Sequence, residues 1–286
     1  MIQIPIESLN LQMLNVGFAH HDGDWNWQQV SSPFTRIYLV TEGRARLHLI
    51  NTVLDLRQGH MYIVPAYTMH SYECHGLFCH YYLHFYEGFK NETNVFEMFD
   101  IPVETDASDV CRRLFEQMCL DYPDAQLPES DPQAYDNTTS FTDYVQRYNR
   151  LPLWQKMRLR GTMLLLFSHF MQQATPRVWT NDERLMKVLA YANKHIHEEI
   201  DMDHLASVAC ITKYYLIRRF KQEFGLTPMH YIIKKKIERS QLLLLTSDKT
   251  VKEVAYSIGF NDHSYFIRQF KKIVGTTPLA YRQTRR

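Results

Sequence analysis

The sequence predicts an α+β chain of two domains. A small β-barrel or jelly roll with trailing helices comes first, and an all-α domain of two helix-turn-helix units follows. Three observations predict this. Short β-prone runs separated by turn residues fill roughly the first hundred positions. Apolar residues then recur at three- and four-residue steps from Val110 to Cys119 and again from Leu153 to Met171. Finally, Asp201 to Tyr281 repeats itself, with the punctuation of two short helices and a tight turn in each copy. A length of 286 residues suits two domains, and 45% hydrophobic content is ample for two cores.

In the first region Arg36-Ile-Tyr-Leu-Val-Thr reads as a strand that ends at Gly43, and Arg44 to Leu49 as the next. Val53 to Leu56 alternates before a turn at Gly59. Met61 to Val64 is a short apolar strand stopped by Pro65, which cannot donate to a ladder. Leu77 to Tyr86 is aromatic and β-prone.

The run Gly59-HMYIV-Pro65-AYTM-His70 resembles the second cupin motif, which places Gly, Pro and His at these intervals. Tyr67 stands where that motif has a second Gly, and the first cupin motif, with its HxH and Glu metal ligands, is not recognisable. No catalytic metal is therefore expected. Histidine and aromatics crowd the following stretch: His70, Tyr72, Cys74, His75, Cys79, His80, Tyr82 and His84. A period of two puts His80, Tyr82 and His84 on one face of a strand. Three readings of this cluster stand. The side chains are hydrogen-bonded parts of the barrel wall, they line a pocket for a small polar ligand, or they bind a transition metal, for which the spacing is irregular. Arg36, entering the first strong strand, either holds a carboxylate or hydroxyls or is a surface charge.

From Asp106 the pattern turns helical, with Val110, Leu114, Phe115, Met118 and Cys119 on one face. Asp121 to Asn137 is rich in Pro and Asp and reads as a loop. Leu153 to Met171 is a strong helix whose stripe continues almost all round its C-terminal half, so it needs more than one neighbour. Ala174 to Asp182 reads as a linker ending in a cap at Asn181, and Glu183 to His195 opens the next domain.

The repeat then follows. Tyr215 pairs with Tyr265, Phe220 with Phe270, Gly225 with Gly275, Pro228 with Pro278 and Tyr231 with Tyr281; upstream, Ala206 pairs with Ala255 at an offset one shorter. The second copy thus has an extra residue in its inner turn, near Asp262. Asp201 and Thr250 sit at N-caps, and Thr250 with Glu253 makes a capping box. Thr212 and Asp262 cap the second helices, Gly225 and Gly275 end them, and Thr227-Pro228 and Thr277-Pro278 start the next helices. Gly259 ends the first helix of copy two, whereas Cys210 holds that place in copy one and predicts a differently built turn. The second helices, about Lys213 to Phe224 and His263 to Val274, turn Leu216, Phe220, Phe224, Phe266, Phe270 and Ile273 inward. Tyr214, Ile217, Arg218, Lys221, His263, Ser264, Ile267, Arg268 and Lys271 lie on the other face. Such basic outer helices suit the major groove of DNA, where Arg reads guanine and an apolar group meets the thymine methyl.

On these residues the last hundred or so positions resemble the DNA-binding domain of the AraC/XylS family of transcription regulators, through the doubled motif and the run IGF…SYFIRQFKK…G.TP..YR. The resemblance implies base-facing roles for Tyr214, Ile217 and Arg218 in the first unit and for His263, Ser264 and Arg268 in the second, with Lys221 and Lys271 completing the DNA-binding set. It also implies one long helix joining the units, which Pro228 to Leu245 suits, and many members carry a cupin-like sensor first. The arabinose sensor of the family places a tyrosine, a histidine and an aromatic at what look like Tyr72, His80 and Tyr82. The expected effector-binding set is Arg36, Tyr38, His70, Tyr72, His80 and Tyr82, for a sugar or sugar-acid-like effector. The implied domains are 1–173 for sensing and dimerisation, 174–180 as linker and 181–286 for DNA. Double-stranded DNA, a small-molecule effector, RNA polymerase and a second copy of the chain are the implied partners.

Charge fits this division. Residues 176–286 hold 20 Lys+Arg against 11 Asp+Glu, hence +9, and residues 1–175 hold 12 against 20, hence −8. A basic half favours phosphate through counterion release, and an acidic half argues against it. Five cysteines without CxxC spacing suit a reducing, cytoplasmic setting. No signal peptide is recognisable, and the longest apolar run, Met163 to Phe167, is far too short to span a bilayer. No nucleophile with a partner motif and no phosphate-binding Gly-rich loop points to an enzyme, and no cofactor is expected. Two rivals remain at this point: a metal-dependent cupin enzyme fused to a DNA-binding module, with ligands at His70 and His80, and a regulator with no small-molecule ligand.

Overall fold

A computed structural model describes residues 6, 9–87, 95–136, 138–177, 180 and 182–284. The chain divides into two units between Pro176 and Arg177.

The first unit contains β1 (Leu11–Asp22), β2 (Thr35–Leu49), β3 (Val53–Arg57), β4 (His60–Val64), β5 (His70–Glu73) and β6 (Leu77–Glu87). It continues with α1 (Val95–Met98), β7 (Phe99–Asp100), β8 (Glu104–Asp106), α2 (Asp109–Asp121), α3 (Pro132–Tyr135), α4 (Thr138–Arg150), α5 (Leu153–Met171) and β9 (Thr175–Pro176). Seven strands form an antiparallel sheet in the order β1-β6-β2-β4-β8, with β3 and β5 also on β2. Gly43 does not end a strand. β2 runs through it, pairing with β6 and β4 before it and with β3 and β5 after it. The register shifts between Val40 and Glu42, and Gly43 is left-handed at φ +71°. A Cβ there would run into the Leu77 carbonyl, so only glycine lets the strand pass from its first set of partners to its second.

Alternation along β2 and β6 supplies two cores. Tyr38, Val40 and Tyr82 face the barrel interior with Trp25, Tyr72 and Phe78. Ile37, Leu39, Leu83 and Phe85 face outward onto α2 and α5, against Phe115, Met118, Leu159, Met163, Phe167 and Phe170. The start of β2 is therefore buried on both faces. Ser108 caps α2 through the Cys111 N–H. The segment read as a loop holds a 3₁₀ turn, Pro123–Ala125, and α3. Ala174 onward is not a free linker at its start, since Thr175 and Pro176 pair with Asp100 and Phe99. Asn181, the expected cap, lies outside the described residues; Asp182 caps the next helix by accepting from the Arg184 N–H.

The second unit is α6 (Glu183–Lys194), α7 (Met202–Val208), α8 (Lys213–Phe224), α9 (Pro228–Thr246), α10 (Val251–Ser257), α11 (His263–Val274) and α12 (Pro278–Thr284). The caps predicted within the repeat are made: Asp201, Thr212, Thr227, Thr250 and Asp262 accept from N–H groups of their helices' first turns, and Thr250 with Glu253 closes the capping box. Gly225 and Gly275 end α8 and α11 in the left-handed conformation. α9 has 19 residues, about 28 Å at the standard helical rise. α6, α7, α8 and the start of α9 share one core around Leu205, Leu216, Phe220 and Tyr231. Around the end of α9, Leu244, Val254, Phe266, Phe270 and Tyr281 are buried.

The two inner turns are built alike, against expectation. Cys210 adopts φ 54° where Gly259 adopts φ 73°. The N–H groups of Cys210 and Ile211 reach Ser207 O and Ala206 O, as those of Gly259 and Phe260 reach Tyr256 O and Ala255 O. Thr212 and Asp262 then cap equivalently, so Asn261 is the extra residue of the second copy. Copy two has a further demand on its glycine. A Cβ on Gly259 would lie 2.5 Å from Glu198 O and 2.6 Å from His197 O. The same junction buries Lys236, whose ammonium donates to Glu198 O at 2.6 Å and Gly259 O at 2.8 Å. Burial lowers that ammonium to about 8, opposed by Glu199 and Glu198.

Candidate nucleic-acid interface and ligand cavity

On α8 the sequence sets inward Leu216 and Phe220, and the rest of the helix follows by rotation. Tyr214 is 75% exposed, and Ile217, Arg218 and Lys221 are also exposed. On α11, Ser264, Arg268 and Lys271 are exposed on the corresponding face, while His263 and Ile267 are half-buried. His263 therefore presents less than expected, with Nε2 out of solvent and without a hydrogen-bond partner. Among the described residues, Arg218, Lys221, Arg268 and Lys271 take part in no salt bridge, whereas Lys213 is held by Asp203 at 2.6 Å and Arg184 by Asp182 at 2.8 Å. The outward faces of α8 and α11 thus carry unneutralised cations, and the cations near the helix bases are engaged within the unit.

In the first unit a cavity of about 230 Å³ opens among Trp25, Tyr38, His80, Tyr82, His84 and Tyr135. Tyr38, His80 and Tyr82 of the expected set line it, and His70, Tyr72 and Arg36 stand behind. A chain of hydrogen bonds connects them. His70 Nδ1 lies 2.7 Å from Thr68 O and His70 Nε2 lies 2.8 Å from Tyr72 Oη. A carbonyl only accepts, so Nδ1 carries the proton and Nε2 accepts from Tyr72. Tyr72 in turn accepts from Tyr38 at 2.7 Å. The Tyr38 oxygen is left as an acceptor on the cavity wall. Both His70 nitrogens are thereby engaged, which leaves the His70–His80 metal site of the enzyme reading without one of its ligands.

Arg36 is fully buried and is no surface charge. Its Nη2 donates to Ser32 Oγ at 2.7 Å, Ser32 donates to the Asp136 carboxylate, and the guanidinium lies 4.4 Å over the Phe34 ring. It does not line the cavity. Burial pushes His70 down to about 3, aided by Arg36, and holds His80 and His84 well below the ordinary imidazole value. All three rings are neutral at pH 7. His80 Nδ1 and both nitrogens of His84 are buried with no hydrogen-bond partner.

Sequence reasoning missed the residues that close the cavity. His21, Asp24 and Trp25 come from the end of β1 and the loop beyond it, and Leu127 to Ser130 from the Pro-rich segment. The Leu127 N–H donates to Tyr82 Oη at 2.8 Å and His21 pairs with Asp24 at 3.0 Å. His21 stacks against both Trp25 and His80, which also touch each other. The only sequence signal was the histidine pair His20-His21 beside Trp25 and Trp27.

A hollow barrel followed by two helix-turn-helix units on one long helix defines a two-domain regulator of the helix-turn-helix class. A model described as a helix-turn-helix domain matches residues 205–284, and one described as an AraC-like ligand binding domain matches residues 16–124. The chain belongs to the AraC family of transcription regulators, with the ligand-binding domain ahead of the helix-turn-helix domain. It is 36% identical over 94 residues to the MmsAB operon regulatory protein of Pseudomonas aeruginosa, covering 33% of this chain and 31% of that one. It is 33% identical over 100 residues to the uncharacterized HTH-type transcriptional regulator YdeC of Bacillus subtilis, covering 35% and 34%. With the HTH-type transcriptional activator RhaS of an Enterobacter species the identity is 32% over 105 residues, covering 37% and 38%. These matches span about a third of the length of the curated relatives. The solved DNA-binding domain of AdpA, in complex with a target DNA, shares 35% identity over 35% of this chain and 90% of that one, at a TM-score of 0.34.

Proposed function

We propose that the chain is a sequence-specific, DNA-binding transcription regulator whose barrel takes a small polar effector. The observation that carries the proposal is the pair of exposed, cationic faces on α8 and α11, presented by two units with the same turn. Arg218 and Arg268 read bases, with Tyr214, Ile217, His263 and Ser264 beside them, and Lys221 and Lys271 contact phosphate. Relatives called an operon regulatory protein and a transcriptional activator support this reading. The cavity supports the effector half: His80 Nδ1 and both nitrogens of His84 have no partner in the barrel, and the Tyr38 oxygen keeps a free acceptor site beside them. At about 230 Å³ it is smaller than pockets for drug-sized ligands, which suits a molecule of monosaccharide size.

The remaining parts of the proposal follow from the surfaces. On α5, Leu153, Trp154, Met157 and Leu165 are exposed, a stripe suited to a second copy of the chain in a homodimer. Residues 1–173 then sense and dimerise, 181–286 bind DNA, and RNA polymerase is the downstream partner in the cytoplasm. Selection of sites from a random duplex pool by the full chain tests the core of the proposal. The expected result is two half-sites about 34 Å apart on one DNA face, with affinity falling steeply in salt. Binding with no sequence preference, or no salt-dependent binding to any duplex, refutes it.

A further inference from the structure

The unmet hydrogen-bonding groups of the cavity restrict its ligand further, on the reading that the barrel binds an effector at all. His84 is 1% exposed and lines the cavity. Its neighbours are the rings of Phe34, Tyr38, Tyr82 and Tyr135, with centroids 5.1 to 6.3 Å away, and neither of its nitrogens bonds to any of them. A neutral imidazole has one N–H and one bare nitrogen pointing in different directions, so the ligand must supply both an accepting and a donating group to satisfy it. Two hydroxyls, or a primary amide with a hydroxyl, supply both. A carboxylate only accepts and leaves the bare nitrogen unpaired.

Charge points the same way. Among the described residues lining the cavity, Asp24 and Glu129 are acidic and none is Lys or Arg. Arg36 faces His84 across the strands but does not line the cavity; its Nη2 donates to Ser32, which donates to the Asp136 carboxylate, and its buried Nε has no partner. Bringing an anion here would desolvate it against two carboxylates with no cation among the lining residues to offset the cost. We infer that the cavity selects an uncharged or cationic small molecule carrying two hydroxyls, or an amide with a hydroxyl, anchored at His84, and that it excludes acids. The sugar-acid alternative is thereby set aside, and Arg36 becomes a positioning residue for Asp136 rather than a ligand contact.

Two measurements on the full chain test this while the effector itself is unidentified. Trp25 lines the cavity and is 4% exposed, so its fluorescence, taken as the difference from Trp25→Phe, reports what enters. Acrylamide is a small neutral amide and iodide a small anion. Relative to their effect on free tryptophanamide, iodide is expected to quench Trp25 at least about threefold less than acrylamide, the size of the repulsion from two nearby carboxylates in water-like dielectric. The double variant Asp24→Asn, Glu129→Gln restores iodide quenching. Equal quenching by iodide overturns the charge selection alone. No quenching by either agent overturns the ligand-binding reading and this inference with it. Secondly, His84→Phe removes two buried nitrogens that have no partner, so the ligand-free melting temperature is expected to hold or rise. His84→Leu controls for the larger ring. If both variants lower the melting temperature, His84 is a structural residue and the anchor is wrong.

Discussion

Cys210 and Gly259 occupy the same left-handed position in two copies of one turn, and exchanging their side chains separates two kinds of strain. In Gly259→Ala the new Cβ adopts φ 73°, which costs an L-residue about 1–2 kcal/mol. It also meets Glu198 O at 2.5 Å, His197 O at 2.6 Å and Glu198 C at 2.7 Å. Those are backbone atoms that cannot swing away, so overpacking adds about 1–3 kcal/mol. The total is about 2–5 kcal/mol. Cys210 lies exposed, so Cys210→Gly relieves the strain alone. Against that relief stands the greater freedom of glycine in the unfolded chain, about 0.5–1 kcal/mol, which leaves a stabilisation of about 0.5–1 kcal/mol. Native-state hydrogen exchange of the full chain, read on peptides within Met202–Tyr281, measures both changes in the unit concerned. A cost for Gly259→Ala no larger than the left-handed strain would mean that the 197–198 backbone does not pack on this turn. Destabilisation by Cys210→Gly would mean that the first turn is not left-handed.

Three further outcomes are expected. Arg218→Ala and Arg268→Ala should each weaken binding to the selected site by about 1–3 kcal/mol and relax one base position, while Lys221→Ala and Lys271→Ala weaken all duplexes alike; equal loss on specific and random DNA would make the arginines phosphate contacts. His70, His80 and His84 have folded-state values depressed below the ordinary 6.5, to about 3 for His70, so only the unfolded state takes up their protons and stability falls as pH drops below about 6.5. Three rings give a slope of roughly 4 kcal/mol per pH unit, and thermal melts between neutral pH and pH 5 would refute this if the barrel's midpoint stayed level. Lys236 is lowered to about 8 from 10.5, so the helical unit should gain stability as pH rises between those values, and Lys236→Met should remove that gain.

The helical unit was legible because its signals are local. Thr212, Thr250, Asp262, Gly225 and Gly275 act within a turn or two of their own positions, and repetition tells the same story twice. Cys210 misled because a residue's intrinsic preference was weighed alone. The flanking turn hydrogen bonds, made identically in both copies, override it. The barrel was legible as β but not in its connections. Gly43 looked like a terminator, yet its role depends on the Leu77 carbonyl, which no local pattern announces. Likewise Arg36 sits at a strand start, where charge is ordinarily exposed, and its burial depends on Ser32 and on Asp136 a hundred positions away. The His80 and Tyr82 face was readable from alternation. Trp25, Leu127 and Tyr135 reach the cavity from segments with no period, so sequence reasoning had nothing to place them with.

The pairing of β1 with β6 joins Leu11 to Glu87 and Asp22 to Leu77, and this sets an order of events for a newly made chain. Everything between those strands must be synthesised before β1 finds its partner, so Leu14 and Val16, buried in the finished sheet, wait with their apolar side chains unprotected. Closing so distant a contact loses much chain entropy before any contact returns it, and folding is correspondingly slow. α6 to α12 contact near neighbours and can form as fast as they emerge. A shortage of chaperone capacity would therefore expose β1 to aggregation before β6 reached it, a risk that the helices of the second unit do not share.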